Sequence, residues 1–255
     1  MLVRAAIEDG GCTLAGALEA PGHASLGIDC GVLAGTGHAG IPVSDDPGAA
    51  IANADAVIDF TSPPVSVALA RIASHAGVVH VIGTTGFSPQ DENEIAEAAR
   101  RTVIVKSGNM SLGVTLLAAL VKRAAEALPD FDVEILEMHH RLKVDAPSGT
   151  ALLLGRAAAE GRGVALEAEG ARTGFTGPRR VGTVGFASLR GGTVVGEHQV
   201  ILAGPHERIV LGHIAENRTI FARGAIAAAK WGRSRTPGLY GMTDVLGIGD
   251  GETCL

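Results

Sequence analysis

The sequence predicts an α/β protein in which a parallel-sheet domain is followed by an α+β domain. In the first half, short runs rich in Val and Ile alternate with helical patterns, which favours a parallel sheet covered on both faces. Residues 181–220 are instead strand-rich with glycine turns, which indicates an antiparallel sheet. We therefore predict a Rossmann-like dinucleotide-binding domain from residues 1–110 and 221–255, and an α+β domain from residues 111–220.

The elements of the first domain follow from hydrophobic periodicity. Residues 2–8 have the pattern of a helix end, and residues 12–19 that of a strand closed by an acid. Further strands are predicted at residues 56–60, 78–83 and 103–106, and helices at residues 65–75, 89–101 and 221–231. We expect the last of these helices to pack back on the first domain.

The second domain is predicted to begin with a long helix that Asn109 and Ser111 cap and that runs to about residue 128. A half-buried strand is expected at residues 131–138, where apolar and polar residues alternate, and a helix at residues 148–160. The strand-rich run 181–220 completes the domain.

Composition excludes several classes of function. The net charge of −6 argues against a nucleic-acid surface, and no apolar run approaches the ~20 residues that span a membrane. Arg4 and Glu8 interrupt the start, so no signal peptide is predicted and we expect a soluble, cytoplasmic protein. Cys12, Cys30 and Cys254 fit neither a zinc ribbon nor a redox pair and are expected to be unpaired thiols.

Two predicted strand ends could contact a cofactor. Ligands of a doubly wound sheet bind beyond the carboxyl ends of its strands. The residues that follow these two strands are Gly83, Thr84 and Thr85 at one end and Ser107, Gly108, Asn109 and Met110 at the other. Small and polar groups allow a ribose or a nicotinamide to approach closely, but ordinary strand-to-helix turns have the same composition.

Glu19 closes a predicted strand and could bind ribose hydroxyls. In such domains the glycine-rich fingerprint precedes this acid by about 20 residues, which here falls before Met1. We therefore expect the chain to start inside the first helix, with the first strand and the glycine loop missing. Residues 35–40 match GxGxxG, but we interpret them as a surface loop, because residues 30–34 make a poor strand and residues 45–47 are not expected to open a helix.

The candidate chemical centre is the run EMHHRLKVDAPSGTA, residues 137–151. His139 and His140 end a strand, Lys143 adds a charge, and residues 148–150 open a helix whose amides and dipole favour an anion. This combination suggests a carboxylate clamp beside an acid/base group. A solvated histidine pair, an N-cap without a ligand and an exposed lysine would show the same pattern. For a metal site, no third ligand stands at a fitting spacing.

Residues 139–151, HHRLKVDAPSGTA, resemble the signature of the 4-hydroxy-tetrahydrodipicolinate reductase (dihydrodipicolinate reductase) family. The resemblance covers nearly the whole chain. Its other motifs, in order, are the strand end at Glu19, AVIDFT (56–61), IGTTG (82–86), SGNMSLGV (107–114), VGTVGFASLRGG (181–192), VVGEH (194–198) and PGLYGMTDVLG (237–247).

The resemblance implies an NADH- or NADPH-dependent reduction of a cyclic hydroxy-dicarboxylate to tetrahydrodipicolinate, with loss of water, in lysine and diaminopimelate synthesis. It implies His139 as proton donor/acceptor and Lys143 as proton donor. The implied substrate-binding residues are His140, Gly149 and Thr150, and the implied cofactor-binding residues are Glu19, Gly83, Thr84, Thr85, Ser107, Gly108, Asn109 and Met110.

The resemblance further implies that residues 111–220 form a substrate-binding and tetramerisation domain, and that a homotetramer assembles through the sheet of this domain. Ala20 follows the acid where an Arg could meet a 2′-phosphate, which favours NADH. The family's opening strand and glycine-rich loop would precede Met1, and a chain without them is expected to bind the cofactor poorly.

Two other functions remain open on sequence grounds. Lys143 could act as the nucleophile of a Schiff-base lyase. Alternatively, the expected absence of the phosphate loop could mark a non-catalytic relative that only binds a ligand.

Overall fold

The computed structural model describes residues 1–249 of the 255-residue chain. These residues form two compact units. The first combines residues 1–112 with the chain from residue 219 onwards, and the second consists of residues 113–218.

The elements are numbered in chain order. The helices are α1 (Leu2–Glu8), α2 (Cys30–Ala34), α3 (Pro47–Ile51), α4 (Pro63–Ala76), α5 (Pro89–Ala99), α6 (Leu112–Ala127), α7 (Gly149–Gly161), α8 (Thr219–Gly232) and α9 (Met242–Val245). The strands are β1 (Ala17–Leu18), β2 (Val43–Ser44), β3 (Ala56–Asp59), β4 (Val79–Ile82), β5 (Val103–Lys106), β6 (Asp132–His139), β7 (Ala168–Glu169), β8 (Val184–Arg190), β9 (Gly196–Gly204), β10 (Glu207–Ala215) and β11 (Gly238–Tyr240).

The first unit is built on a four-stranded parallel sheet of order β11-β5-β4-β3. Both faces of the sheet are covered. Val81 and Val105 pack with α8, while Ile82 and Ile104 pack with α4 and α5 on the other side. Because both faces are buried, the strands are continuous apolar runs rather than alternating ones. The predicted Rossmann-like fold is confirmed.

The strand predicted at residues 12–19 is wrong for most of its length, because β1 contains only Ala17 and Leu18. Its parallel partner β2 has only two residues, so no ladder is available to residues 12–16. After the strand, the Glu19 amide donates to the Ser44 carbonyl over 3.0 Å. Glu19 therefore still comes directly after the strand that pairs with β2.

Residues 35–40 form a loop organised by the Asp29 carboxylate. This carboxylate accepts backbone N–H bonds from Gly31, Val32, Ala39, Gly40 and Ile41. Hydrogen bonds of this kind lower the pKa of Asp29 to about 2, and the bond from Ala39 has the largest effect. Desolvation by itself would raise this pKa. The expectation that residues 45–47 open no helix is wrong: Asp46 caps α3, and Pro47 occupies its first turn, where proline is favoured.

The second unit contains a five-stranded sheet of order β10-β9-β6-β8-β7. The prediction of an antiparallel sheet is wrong for part of it: β9 and β10 pair antiparallel, but β8 runs parallel to β6 and to β7. The helix α7 lies between β6 and β8 in the chain, and a helical crossover is what joins parallel neighbours. The sheet is therefore mixed.

One face of this sheet packs on α6 and α7, with Val133, Ile135 and Leu202 in the core. Residues on the opposite face are much more exposed: Leu189 is 48%, Val210 51% and Ile214 66% exposed. Since side chains alternate between the faces of a strand, the protein has one covered and one uncovered sheet face in this unit.

Helix α8 packs on α1, β3 and β4, within the first unit. A Cβ on Gly224 would stand 1.7 Å from the Met110 carbonyl oxygen, so only glycine allows this approach. Cys12 is an exposed free thiol and Cys30 a buried one, while Cys254 lies outside the described residues. Between residues 1 and 249, no helix has the length and apolar character that crossing a membrane requires.

Candidate active site

The candidate site begins on strand β6, where a carboxylate occupies a core position. The burial of β6 alternates, and Val133, Ile135 and Glu137 are its buried residues. Glu137 is only 1% exposed although it is an acid. His139, the last residue of the strand, lies two positions further on, so its side chain emerges on the same face.

Glu137 is held by donors from three segments. His139 Nδ1 lies 2.5 Å from Oε2, and the Arg190 guanidinium from β8 donates to both carboxylate oxygens over 2.8 Å. The Ser148 amide donates to Oε1 over 3.2 Å. Burial alone would raise the pKa of Glu137, but the hydrogen bonds from Arg190, Ser188 and His139 outweigh it and lower the pKa to about 2. The carboxylate is therefore ionised at neutral pH.

Helix α7 starts directly beside this carboxylate. Ser148 is its N-cap, and its Oγ accepts the Ala151 amide over 3.1 Å. The same Oγ lies 2.9 Å from His198 Nε2. Gly149 is the first helical residue, and a Cβ placed on it would meet no atom within 4 Å. The first turn of α7 thus faces open space, and amides at this position favour an anion.

The loop between β6 and α7 carries His140, Lys143 and Asp145. Lys143 Nζ donates to both Asp145 carboxylate oxygens, over 2.7 and 2.9 Å, which lowers the pKa of Asp145. The Arg190 guanidinium also donates to the Asp145 carbonyl over 2.7 Å. His140 is half-buried, and its carbonyl accepts the Lys143 amide. Arg190 therefore fixes this loop and Glu137 at once.

His198 completes the cluster from β9. Its ring lies edge-on to the His139 ring, with centroids 5.1 Å apart. Burial, and next the electrostatic influence of the neighbouring His139 ring, lower the pKa of His198 to about 4, so His198 is neutral at neutral pH. On the same strand, a Cβ on Gly196 would stand 3.0 Å from His139 Nε2. The absence of a side chain at Gly196 thus leaves room beside that nitrogen.

Sequence reasoning missed the parts of Glu137, Arg190 and His198 in this cluster. A signal for Glu137 was present, because it shares the inward register of Val133 and Ile135, where an acid needs a partner. Arg190 and His198 lie on β8 and β9, and only the pairing of these strands with β6 brings them to His139.

In the first unit, the predicted cofactor loops follow β4 and β5 at one edge of the parallel sheet. A Cβ on Gly108 would stand 3.7 Å from Thr85 Cγ2, so the two loops adjoin. Thr84 is buried and its Oγ1 accepts the Thr61 amide over 2.9 Å, while Met110 is 1% exposed and belongs to the core. Thr84 and Met110 can therefore offer a ligand mainly their backbone.

The polar side chains of the second loop are engaged within the loop. Ser107 Oγ donates to the Asn109 carbonyl over 2.8 Å, and Asn109 Oδ1 accepts the Ser111 amide over 2.9 Å. Glu19 is exposed beyond β1, and its Oε1 accepts the Ala20 amide over 2.9 Å. The second oxygen of the Glu19 carboxylate, Oε2, takes no part in that hydrogen bond. Across residues 1–249, no cluster of three or more His, Cys, Asp or Glu side chains could hold a metal ion.

Two features together define the class of this protein: a parallel sheet with small, polar edge loops, and an acid–histidine cluster on the mixed sheet. They are the features of a two-unit oxidoreductase with a Rossmann-like unit. Two family profiles cover the chain, "Dihydrodipicolinate reductase, N-terminus" over residues 1–110 and "Dihydrodipicolinate reductase, C-terminus" over residues 113–246. The chain belongs to the dihydrodipicolinate reductase family.

Relatives named 4-hydroxy-tetrahydrodipicolinate reductase match almost end to end. The protein from Beijerinckia indica subsp. indica is 60% identical over 252 residues, which is 98% of this chain and 93% of that protein. The protein from Brucella abortus is 58% identical over 251 residues, or 97% of this chain and 94% of that protein. This level of identity supports the same reductase class for the present chain.

Solved structures agree on the fold. A dipicolinate-bound dihydrodipicolinate reductase from Paenisporosarcina sp. TG-14 superimposes with a TM-score of 0.76 at 22% identity, covering 95% of this chain and 92% of that one. An amine dehydrogenase from Mycobacterium smegmatis gives a TM-score of 0.56 at 15% identity, covering 93% and 90%.

Proposed function

We propose that this chain reduces 4-hydroxy-tetrahydrodipicolinate to tetrahydrodipicolinate with NADH or NADPH, in lysine and diaminopimelate biosynthesis. In this reaction a hydride and a proton enter the substrate and water leaves it. The observation that carries the proposal is the ionised Glu137 against His139 at the open first turn of α7. It places a proton-exchanging ring beside an anion-binding position, in a family whose close relatives are named for this reaction.

We assign the substrate carboxylates to the start of α7. Gly149 and Thr150 would bind a carboxylate with the amides of the first turn and the Thr150 hydroxyl, and His140 would contact the substrate from the preceding loop. The open space at Gly149 and the positive end of the helix dipole support this assignment.

His139 would exchange the proton with the substrate, and Lys143 would donate a proton and neutralise developing charge. A nicotinamide cofactor supplies the hydride when it is bound. The contact of Lys143 Nζ with both Asp145 oxygens supports an ammonium donor. It argues against the Schiff-base alternative, since that chemistry requires a neutral amine.

The cofactor would bind to the first unit, which makes it the dinucleotide-binding domain, and the second unit would be the substrate-binding domain. Gly83, Thr84 and Thr85 and the second loop, Ser107, Gly108, Asn109 and Met110, would hold the nicotinamide half. Adjoining loops at the carboxyl edge of a parallel sheet fit this role. Glu19 would bind the ribose hydroxyls.

We further propose a preference for NADH. Glu19 is an exposed acid, and the residue after it is Ala20 rather than an arginine that could meet a 2′-phosphate. A carboxylate at this position repels the phosphate of NADPH and accepts bonds from the free hydroxyls of NADH.

The assembly we propose is a homotetramer in the cytoplasm. The uncovered face of the mixed sheet, with Leu189, Val210 and Ile214 exposed, offers an apolar surface that a second copy of the same chain could cover. Light scattering of the purified protein tests this, and Val210→Glu, on the edge strand β10 of this face, should shift a tetramer to smaller species.

Turnover tests the function directly. The purified chain is mixed with substrate generated in solution, and NADH or NADPH oxidation is followed by absorbance. We expect substrate-dependent oxidation that His75→Gln, a variant of an exposed histidine on α4, leaves unchanged. If a folded protein oxidises neither cofactor in the presence of substrate, the proposed function is wrong.

A further inference from the structure

We propose that Glu137 is a positioning residue that fixes the tautomer of His139, so that Nδ1 carries a hydrogen and Nε2 is the nitrogen that exchanges a proton. The inference rests on the role proposed above for His139 and adds a second residue to it. It also specifies which ring atom works and which groups determine that choice.

The direction of the short hydrogen bond follows from the donors around Glu137. Arg190 donates to both carboxylate oxygens over 2.8 Å, and the Ser148 amide donates to Oε1. A carboxylate with these partners is ionised and can only accept. The hydrogen in the 2.5 Å contact between His139 Nδ1 and Oε2 therefore belongs to Nδ1.

The opposite ring nitrogen has room for a reacting group. Gly196 stands beside His139 Nε2 and contributes no side chain there. His198 packs against the ring in a T-shaped arrangement, with the ring centroids 5.1 Å apart. With Nδ1 engaged by Glu137, Nε2 is the nitrogen that can accept or release a proton.

The Glu137 carboxylate is also prevented from rotating. A guanidinium binds a carboxylate through two parallel bonds in one plane, and Ser148 adds a third donor. The charged or titratable groups near His139 are Glu137 on its own strand, Arg190 on β8, His198 on β9 and Lys143 in the loop. Among these, Glu137 is the acid in hydrogen-bond contact with the ring.

Glu137→Gln should reverse the tautomer. The amide oxygen would take the Oε1 position, because Arg190 Nη2 and the Ser148 amide both donate there, and the Arg190 Nη1 bond at the Oε2 position would be lost. The amide NH₂ would then replace Oε2 and donate to His139 Nδ1, which moves the ring hydrogen to Nε2. A ring protonated at Nε2 cannot accept a proton there, so the reaction should slow while substrate binding persists.

A matched control lies on the same strand. Glu134 is also an acid paired with arginines, Arg172 and Arg179, but it lies on the opposite face of β6. Glu134→Gln therefore repeats the chemical change without touching His139, and light scattering verifies that this variant, on the uncovered sheet face, keeps the wild-type assembly. Circular dichroism verifies that both variants are folded before activity is compared.

The experiment combines kinetics with ¹⁵N NMR of the histidine rings in ligand-free protein, and the His139→Gln spectrum identifies the His139 signal. In the wild type we expect a neutral His139 protonated at Nδ1. In Glu137→Gln we expect protonation at Nε2, a kcat lower by about 10- to 100-fold and an unchanged affinity for dipicolinate. Glu134→Gln should match the wild type in all three.

Two results would overturn the inference: a neutral wild-type His139 protonated at Nε2, or a Glu137→Gln kcat equal to that of Glu134→Gln. If Glu137→Gln does not fold, the wild-type NMR spectrum still decides the tautomer. An inactive wild type would instead count against the proposed function, and the NMR result would stand apart from it.

Discussion

Each unit of this protein contains an acid–histidine pair, and the two pairs differ in their surroundings. Asp59 and His80 lie on β3 and β4 with both side chains 0% exposed, and Asp59 Oδ2 stands 3.4 Å from His80 Nε2. Glu137 and His139 lie on β6 at 2.5 Å, where the histidine side chain is 11% exposed. One pair is sealed in a core and the other opens towards a site.

The sealed pair acts on the backbone. Asp59 Oδ1 accepts the amide and the hydroxyl of Thr61 over 2.9 and 2.6 Å. Within residues 1–249, Asp59 Oδ2 and both ring nitrogens of His80 make no hydrogen bond. Burial would raise the pKa of Asp59, but His80, Ser66 and Thr61 outweigh it and lower the pKa. Asp59 thus holds the Thr61 turn at the carboxyl edge of the sheet.

The comparison shows that proximity of an acid to a histidine does not define a reactive site. Arg190 gives Glu137 a cation and a fixed orientation, and Gly196 leaves His139 Nε2 accessible. The Asp59–His80 pair has neither feature. We therefore expect changes in one pair to affect catalysis and changes in the other to affect stability.

His139→Gln should give the largest effect. Removal of the proton-exchanging ring is expected to lower kcat by about 10²- to 10⁴-fold, with little change in KM for the substrate. Steady-state kinetics measures both quantities. The paired variant His80→Gln should retain kcat per folded molecule, and a similar loss of kcat in both variants would contradict the distinction.

Asp59→Ala should destabilise the fold by about 3–5 kcal/mol, because it removes one partner of a buried pair and the acceptor of the Thr61 hydroxyl. Urea unfolding followed by circular dichroism measures this free energy. The folded fraction should keep its kcat. A loss below about 1 kcal/mol would mean that Asp59 and His80 contribute little to the core.

His198 should make the protein acid-sensitive. Its pKa is about 4 in the fold against 6.5 as the ordinary value, so the unfolded chain binds the proton more tightly. The protonation of His198 therefore does not reduce the free energy of unfolding above pH 6.5. It reduces that free energy progressively as the pH falls from 6.5 towards 4. The loss at about pH 5 is on the order of 2 kcal/mol. His198→Gln should flatten the fall in Tm over this interval; an unchanged slope would exclude His198 as its source.

Thr150→Val should have the smallest effect of the four and a different kinetic signature. If Thr150 binds a substrate carboxylate at the start of α7, its loss should raise KM by about ten-fold with kcat unchanged, as expected for one bond to a charged group. A fall in kcat equal to the rise in KM would place Thr150 with the proton chemistry of His139 instead.

The elements that could be predicted are those that depend on local pattern. The strand at residues 103–106 agrees with β5, because a continuous apolar run is buried on both faces wherever it pairs. The helix expected from residue 148 agrees with α7, because Ser148 caps it. The errors depend on partners: residues 12–16 lack a strand to pair with, and β8 is placed parallel to β6 by a crossover that the pattern of residues 181–220 does not encode.

The candidate site divides in the same way. His139, Lys143 and Gly149 lie in one short run and could be grouped from the sequence. Arg190 and His198 reach the site only through the pairing of β8 and β9 with β6, so no local pattern could assign them to it. The individual roles of these residues remain predictions.

Gly196 has a further consequence for how such a protein can change over generations. A single added methyl group there would stand 3.0 Å from His139 Nε2 and 3.7 Å from a carbon of the His198 ring. The 3.7 Å separation is an ordinary van der Waals contact, but the 3.0 Å approach is tight, so this position can vary only if the His139 ring gives way. The space beside His139 Nε2 therefore restricts which residues can occupy one position of β9, although no residue of β9 is proposed to react with the substrate.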